Sequence, residues 1–71
     1  MTADTRGPAL LRMREVTRTV GLSRATIYRL MGRGEFPRAV TLTGSAVAWV
    51  QTEVDAWIAE RVHARDARRA A

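Results

Sequence analysis

The stretch GLSRATIYRLM, residues 21–31, combines a helix-ending glycine, a helix-starting serine and an apolar helical face. Gly21 suits the left-handed conformation with which many helices end, and Ser23 is a favourable N-cap for a following helix. Three apolar side chains then recur at the spacing of one helical face, which predicts that this face is buried. They are Ile27, Leu30 and Met31. The stretch therefore predicts the turn and the second helix of a helix pair.

Upstream of this turn, residues 14–20 predict a short first helix in which Val16 and Val20 lie one turn apart on the same face. Three apolar residues lead into this helix: Leu10, Leu11 and Met13. Two helices joined by a glycine-containing turn have the dimensions of a helix-turn-helix. Residues 1–9 show no periodicity and contain a Gly-Pro pair, so we expect a flexible N-terminal arm there.

Downstream of the second helix the pattern changes from helical to extended. Gly32 and Gly34 are expected to end the helix, because glycine weakens helices and suits their C-terminal caps. Two stretches of alternating residues, 40–42 and 47–49, then flank a short glycine-containing loop at residues 43–45. This arrangement predicts a β-hairpin.

The last predicted element is an amphipathic helix from Gln51 to about Ala64, with acids near its start and arginines near its end, as the helix dipole favours. Its apolar stripe consists of Val54, Trp57, Ile58 and Val62. Val50 is a poor N-cap, so a start at Thr52 is an open alternative. We expect residues 65–71 to form a basic C-terminal tail.

The order helix, helix, hairpin, helix predicts a mainly α fold with a small β-hairpin, a winged helix-turn-helix (α-α-β-β-α) over residues 10–64. A chain of 71 residues fits one small domain. It has no cysteine and a single histidine, His63, so the pattern predicts no disulfide, no metal site and no cofactor. No set of nucleophile, base and orienting group can be assembled, which argues against an enzyme.

The N-terminus lacks the order of a signal peptide, and the longest apolar run, residues 46–50, is far too short to span a membrane. We therefore expect a cytoplasmic protein without a membrane partner.

Charge is distributed unevenly along the chain. All 12 basic residues are arginine, and the net charge is +5. Residues 9–38 contain seven arginines and two acids, residues 39–60 contain three acids and no base, and residues 61–71 contain four arginines and one acid. A GC-rich genome would also favour arginine over lysine, but it would not obviously sort the charge in this way. A basic N-terminal half on a neutral-to-acidic scaffold is typical of nucleic-acid binders.

Six separated sequence blocks resemble the AlpA-like regulators, which are related to phage excisionases and, more distantly, to the DNA-binding domains of MerR-type regulators. The blocks are Glu15-Val16, the run from Gly21 to Arg29, Gly34 to Pro37, Val40 to Leu42, Ala48-Trp49 and Glu53 to Ile58. The resemblance implies a protein of a phage or integrated element that acts as a transcriptional regulator, as an excisionase (recombination directionality factor), or as both. The hairpin tip lacks the arginine that such wings often carry.

A recognition helix contacts bases from its N-terminal part. The candidate DNA-binding residues lie in the second helix and its end, in the segment after it, and in the hairpin tip. They are Ser23, Arg24, Thr26, Tyr28, Arg29, Arg33, Arg38, Thr43 and Ser45. Arg29 is the candidate for a guanine edge, whereas Arg24 and Arg33 are better placed for phosphates. Ser23 is also explained without a DNA contact, as the cap of the helix. The small polar residues of the hairpin tip are also explained without one, because any hairpin turn needs such residues.

Other residues have a functional and a plain structural interpretation. Arg12, Arg14, Arg18 and Arg38 are candidate phosphate contacts on either side of the DNA groove, although each alone is better explained as a plain surface charge. Trp49 and Trp57 lie on apolar stripes, which favours core packing over base stacking. The expected partners are double-stranded DNA, an integrase and further copies that bind cooperatively on DNA. The alternative is a protein-interaction module that docks an integrase or another partner without reading DNA.

Overall fold

The computed structural model of the protein describes residues 9–70, so all but the last residue of the arm predicted over residues 1–9 lies outside the described part. The elements follow the order β1 (Leu10–Leu11), α1 (Met13–Val20), α2 (Arg24–Gly32), β2 (Val40–Thr43), β3 (Ala46–Val50) and α3 (Gln51–Ala70). Three helices and a small antiparallel sheet confirm the predicted winged helix-turn-helix class.

The turn between α1 and α2 has the predicted local chemistry. Gly21 adopts φ 73°, and its N–H donates to the carbonyl of Thr17 at the end of α1. The Ser23 hydroxyl accepts a hydrogen bond of 3.2 Å from the backbone N–H of Thr26. Each contact satisfies a backbone group that the helix itself leaves without a partner. Both caps are set by residues within four positions of each other, which is why the sequence predicts them.

The expectation that Leu10 and Leu11 lead into the first helix is wrong. They form β1, which pairs antiparallel with β3 so that Leu10 lies opposite Val50 and Leu11 opposite Trp49. The sheet therefore has three strands in the order β1-β3-β2. With β2 on one side of β3, the other edge of β3 still presents backbone donors and acceptors, and β1 pairs with them. Two residues are too few to show strand alternation in a sequence.

The predicted hairpin is confirmed as β2 and β3. Val40 lies opposite Ala48, and an extra residue on β2 shifts the register before Thr43 meets Ala46. Gly44 in the connecting turn adopts φ 50°, a left-handed conformation that glycine accepts without strain.

Helix α3 begins at Gln51, immediately after β3, and not at the alternative start. The N–H of Gln51 donates to the carbonyl of Ala9 over 2.9 Å, so the residue before β1 supplies a partner that the poor N-cap Val50 cannot. The helix continues to Ala70, beyond its predicted end near Ala64. The last segment contains only good or moderate helix formers and neither glycine nor proline, so nothing local ends the helix earlier.

The core lies between the helix pair, the sheet and the first half of α3. Its fully or nearly fully buried members are Val16, Ile27, Phe36, Ala48, Trp49 and Val54. Leu30, Met31 and Ile58 pack on it as half-buried side chains. Val62, predicted on the buried stripe, is instead 42% exposed, because α3 runs past the core after its second turn.

Both indoles hold the connection between α2 and β2. Trp49 Nε1 donates to the carbonyl of Pro37 over 3.1 Å, and Trp57 Nε1 donates to the carbonyl of Glu35 over 2.8 Å. The intervening Phe36 packs edge-to-face on Trp57, with ring centroids 4.9 Å apart. Phe36 was not expected in the core, since the sequence shows only an extended Phe-Pro pair there. Trp49 is fully buried, whereas Trp57 is half-buried.

None of the helices within residues 9–70 is long and apolar enough to cross a membrane. Over the same residues no group of three or more acidic, histidine or cysteine side chains is arranged to hold a metal ion.

Candidate nucleic-acid interface

A shallow groove of about 440 Å³ lies where the start of α1, the start of α2 and the hairpin meet. Its lining consists of Arg12, Met13, Arg14, Arg24, Tyr28, Ser45 and Val47. Three of these side chains are guanidinium groups and none is a carboxylate. The groove is therefore a concentrated positive region, shaped by three separate elements of the fold.

Arg12 joins the groove to the hairpin. Its backbone N–H donates to the carboxylate of Glu15, and the N–H of Glu15 donates to the Arg12 carbonyl, so the two residues cap α1 reciprocally. The Arg12 side chain donates from Nε to the carbonyl of Val47 over 3.0 Å. This bond fixes the guanidinium against β3 and leaves its terminal N–H groups for a ligand.

An aromatic chain positions Arg24. The buried Trp49 ring meets the edge of Tyr28, with centroids 6.4 Å apart. Above the Tyr28 ring lies the guanidinium of Arg24, at 5.5 Å from the centroid. Tyr28 is 41% exposed, so its ring connects the core to the surface. The first turn of α2 therefore presents a cation whose direction is set by the core.

The hydroxyls at the N-terminus of α2 bond to each other. Besides capping the helix, the Ser23 hydroxyl donates to Oγ1 of Thr26 over 3.0 Å. Ser23 is exposed and Thr26 is half-buried. Ser23 thus has the capping role that the sequence left open, whatever else it contacts.

Arg29 and Arg33 are exposed on the other flank of α2, about 140° to 180° round the helix axis from Arg24 at 3.6 residues per turn. Between the flanks lie the small residues Ala25 and Gly32. Within residues 9–70 the one ion pair joins Arg65 to Asp66, so the arginines of α2 are not neutralised by a carboxylate of this part of the chain.

The remaining predicted residues are not all brought to the groove. Ser45 lines it, whereas Thr43, at the other side of the turn, is exposed outside it. Arg38 borders a second cavity between α3 and the segment before β2, together with three glutamates. Arg18 is exposed on α1, outside the groove. The geometry thus groups Arg24, Tyr28 and Ser45 and separates Arg38 from them.

A family model described as the prophage CP4-57 regulatory protein (AlpA) matches residues 9–62. The chain belongs to the AlpA family. The match covers every described element except the far end of α3, and it confirms the resemblance found in the sequence blocks. The AlpA family model is described as that of a prophage regulatory protein.

Two curated proteins are similar to this chain, and one of them is itself named AlpA. A protein of Enterobacteria phage P4, described as uncharacterized protein ORF88, is 53% identical over 55 residues, which are 78% of this chain and 62% of that protein. AlpA of Escherichia coli (strain K12), described as a DNA-binding transcriptional activator, is 31% identical over 58 residues, 73% of this chain and 83% of that protein. The chain therefore spans less than two thirds of the length of the phage P4 relative.

In this AlpA-family chain the groove includes two arginines, Arg12 and Arg14, that the sequence offers as phosphate contacts but that are each better explained alone as a surface charge. The groove contribution of Val47 was not predicted. The missing signal is the pairing of β3 with both β1 and β2, which brings Val47 to Arg12 across 35 positions of sequence. A local sequence pattern does not show that two residues so far apart in sequence are in contact.

Proposed function

We propose that this AlpA-family protein is a sequence-specific double-stranded DNA-binding regulator of a phage or integrated element. The observation that carries the proposal is the groove lined by Arg12, Arg14 and Arg24 and by no carboxylate, which opens beside the exposed face of α2. Positive side chains fixed at the N-terminus of a surface helix are suited to a nucleic-acid backbone.

In the proposed complex α2 enters the major groove. Its outer face has the small residues Ala25 and Gly32 at the centre, so the helix backbone can approach the base edges closely. Arg29 lies at one side of this face and presents its guanidinium fork to a guanine, the pairing that arginine makes best. Tyr28, on the other side, supports Arg24 and adds a hydroxyl to the interface.

Phosphates of the two strands are contacted from the two flanks of α2. On one flank Arg12, Arg14 and Arg24 contact one backbone, with Ser45 of the hairpin tip beside them. On the other flank Arg33 contacts the opposite backbone. Thr43 extends the hairpin contact, whereas Arg38 is left out because it borders the cavity with the glutamates. Contacts on both flanks fix the orientation of the recognition helix.

Direct binding to DNA tests the proposal. A preferred duplex is first selected from a random pool, and its affinity is then measured by fluorescence anisotropy for the wild type, Arg14→Gln and Arg24→Gln. Each substitution removes one charged phosphate contact and should weaken binding about tenfold. The matched control Arg69→Gln removes the same charge from the far end of α3 and should leave affinity within about twofold.

If no duplex is bound at low salt, the proposal is wrong and the protein-interaction module becomes the better interpretation. Equal losses in Arg24→Gln and Arg69→Gln would mean that only net charge matters and that the groove is not the interface.

Two roles are compatible with such an interface. The name of the Escherichia coli relative favours transcriptional activation, and a promoter fusion that responds to expression of this protein would support that role. The resemblance to excisionases supports a role with an integrase as partner. In that case, adding the protein to the integrase of the same element should switch recombination from integration to excision between its attachment sites.

A further inference from the structure

Helix α3 has opposite charge in its two halves. Residues 51–60 contain three acids and no base, and residues 61–70 contain four arginines and one acid. The helix has 20 residues and is therefore about 30 Å long. Only its first half packs on the core, through Val54, Trp57 and Ile58. From residue 59 to residue 69 every side chain is exposed, so the second half is a projecting basic arm.

The acidic half of α3 forms one wall of the second cavity, which has a volume of about 840 Å³. Its lining includes apolar side chains, among them Val40, Ala56 and Trp57. It also includes three carboxylates, those of Glu35, Glu53 and Glu60, and the guanidinium groups of Arg38 and Arg61. The Arg61 guanidinium lies 5.4 Å from the centre of the Trp57 ring. With three carboxylates against two guanidinium groups, and apolar side chains beside them, this acidic cavity suits a helical segment that carries small and basic side chains.

The charges at the two ends of α3 lack counterions in the described part of the chain. Among residues 9–70 the ion pair Arg65–Asp66 lies within the arm itself, at 2.9 Å. Neither Glu53 nor Arg68 takes part in an ion pair there. The family match ends at residue 62, so Arg68 is a feature of this chain beyond the matched region.

One face of α3 connects the acidic cavity to the basic arm. At 3.6 residues per turn, Glu53, Trp57, Glu60, Ala64 and Arg68 fall within a strip about 80° wide. The first three line the cavity, and the last two continue the strip along the arm. The strip therefore has Glu53 at its first end, the half-buried indole of Trp57 and then Glu60 near its middle, a small residue beyond, and a base at its last end.

We infer that this strip is a docking surface for a second copy of the chain, with the two α3 helices antiparallel across a two-fold axis between Glu60 and Arg61. In that register Glu53 faces Arg68 of the second copy, and Trp57 faces Ala64 of the second copy. The arrangement is symmetric, so every pair occurs twice. A parallel arrangement would place acid against acid and base against base. Charge complementarity therefore selects the antiparallel pair, in which the arm of each copy occupies the acidic cavity of the other.

The small side chain of Ala64 matters to this pairing because it lets the arm approach the indole of Trp57 closely. The area along one helix face is smaller than that of a standard stable interface, so the association is reversible and depends on concentration. The inference concerns the protein alone and does not rest on the proposed function. Its tests contain no DNA, so its failure and the failure of DNA binding are distinguishable.

Sedimentation equilibrium of the full chain over a wide range of concentrations is the first test. At low salt the wild type should show a monomer–dimer equilibrium, and high salt should shift it toward the monomer, because exposed ion pairs are screened. A monomer at every concentration and low salt overturns the inference. Species larger than a dimer overturn the two-fold axis, since only a closed symmetric pair stops at two copies.

A charge swap provides the sharper test. Glu53→Arg alone, or Arg68→Glu alone, replaces two attractive pairs with two repulsive ones and should weaken dimerisation about tenfold. An equal mixture of the two variants restores both pairs in a heterodimer and should recover association to within about threefold of the wild type. A folding defect in either variant could not be repaired in this way. Absence of recovery in the mixture overturns the inference.

Matched controls make the same charge changes off the strip. Asp55→Arg lies about 200° from Glu53 round the helix, and Arg69→Glu lies about 100° from Arg68. Each should leave the dimerisation constant within about twofold of the wild-type value. If Arg69→Glu weakens association as much as Arg68→Glu, the strip is not the contact surface and the inference is wrong. Circular dichroism of each variant checks that the helical content is unchanged.

Discussion

At the scale of single residues, the two tryptophans are expected to contribute differently to the free energy of unfolding. Both lie on apolar stripes of the sequence, and both donate an indole N–H to the backbone of the segment before β2. Trp49 is fully buried at the centre of the core, whereas Trp57 is half-buried and retains contact with solvent. Truncation of Trp57 is therefore expected to be less damaging than its sequence pattern predicts.

Replacement by phenylalanine separates the two contributions. Trp49→Phe removes a part-buried hydrogen bond and leaves a cavity in the core, so the free energy of unfolding should fall by about 2 to 3 kcal/mol. Trp57→Phe removes a hydrogen bond at the surface and should lower it by about 1 kcal/mol. Urea denaturation of both variants measures the difference. Equal losses would show that the unequal burial of the two indoles has no energetic effect.

Tyr28 is expected to act on DNA binding through Arg24. Tyr28→Phe keeps the ring face on which the guanidinium lies, so affinity for the selected duplex should stay within about twofold. Tyr28→Leu removes that face and should weaken binding about two- to fivefold, the effect of one exposed cation–π contact. Anisotropy titrations at one salt concentration compare the two. If Tyr28→Phe weakens binding as much as Tyr28→Leu, the hydroxyl contacts DNA and the ring is not the important part.

Arg29 is the residue on which sequence discrimination is expected to depend. Arg29→Ala should reduce the preference for the selected duplex over random DNA by about 1 to 3 kcal/mol, because a bidentate contact to guanine is lost. The residue is exposed, so the fold should be unaffected. Competition binding gives the ratio of the two affinities, and circular dichroism checks the fold. An unchanged ratio would exclude Arg29 from base readout.

At the scale of elements, the N-terminus of α2 combines a structural and a proposed binding role. The Ser23 hydroxyl caps the helix by accepting from the N–H of Thr26. Aspartate is an equally good cap but adds a negative charge. The two roles can therefore be separated by substitutions that affect the cap and the charge differently.

Ser23→Ala should lower the free energy of unfolding by about 1 kcal/mol, since it removes the cap. Ser23→Asp should keep the stability of the wild type but weaken duplex binding, because its carboxylate would face the phosphates. Thermal denaturation and anisotropy measure the two effects. A stable Ser23→Ala variant with reduced DNA affinity would mean that the hydroxyl contacts DNA rather than caps α2.

Helix α3 is the element whose two halves differ most in surroundings. Its first N–H is satisfied by the carbonyl of Ala9, and its first two turns pack on Trp49 and its neighbours. Its second half is held only by its own hydrogen bonds and by residues with adequate helix propensity. A helix that extends beyond its core in this way gains stability from any partner that covers the arm.

At the scale of the whole molecule, the separation of charge along the chain should appear as salt dependence. Seven arginines lie within residues 9–38, and the groove and the two flanks of α2 include at least five of them. If three or four contact phosphates at once, the plot of log affinity against log salt should have a slope of about −2.7 to −3.6, since each contact contributes about −0.9.

Single substitutions should show which regions of the molecule contribute to that salt dependence. Arg33→Gln should lower the magnitude of the slope by about one without changing sequence preference. Substitutions of Arg65, Arg68 or Arg69 should change it less, because none of these residues lines the groove. Titrations at several salt concentrations measure each slope. A slope near zero would contradict the nucleic-acid interface as a whole.

The sequence by itself determined those features that depend on near neighbours. The glycine turn, the serine cap, the buried face of α2 and the hairpin each depend on residues within a few positions of one another, so periodicity and cap chemistry predict them. The candidate residues of α2 could be named for the same reason. The uneven distribution of charge along the sequence was enough to indicate a nucleic-acid partner.

Only the tertiary structure decided which distant residues meet. The pairing of Leu10 with Val50, the burial of Phe36 and the bond from Arg12 to Val47 each join segments far apart in sequence. Their partners are specified by how the sheet and the helices pack, and no local pattern records that packing. The grouping of Arg12 and Arg14 with Arg24, and the exposure of the far half of α3, follow from the same long-range contacts.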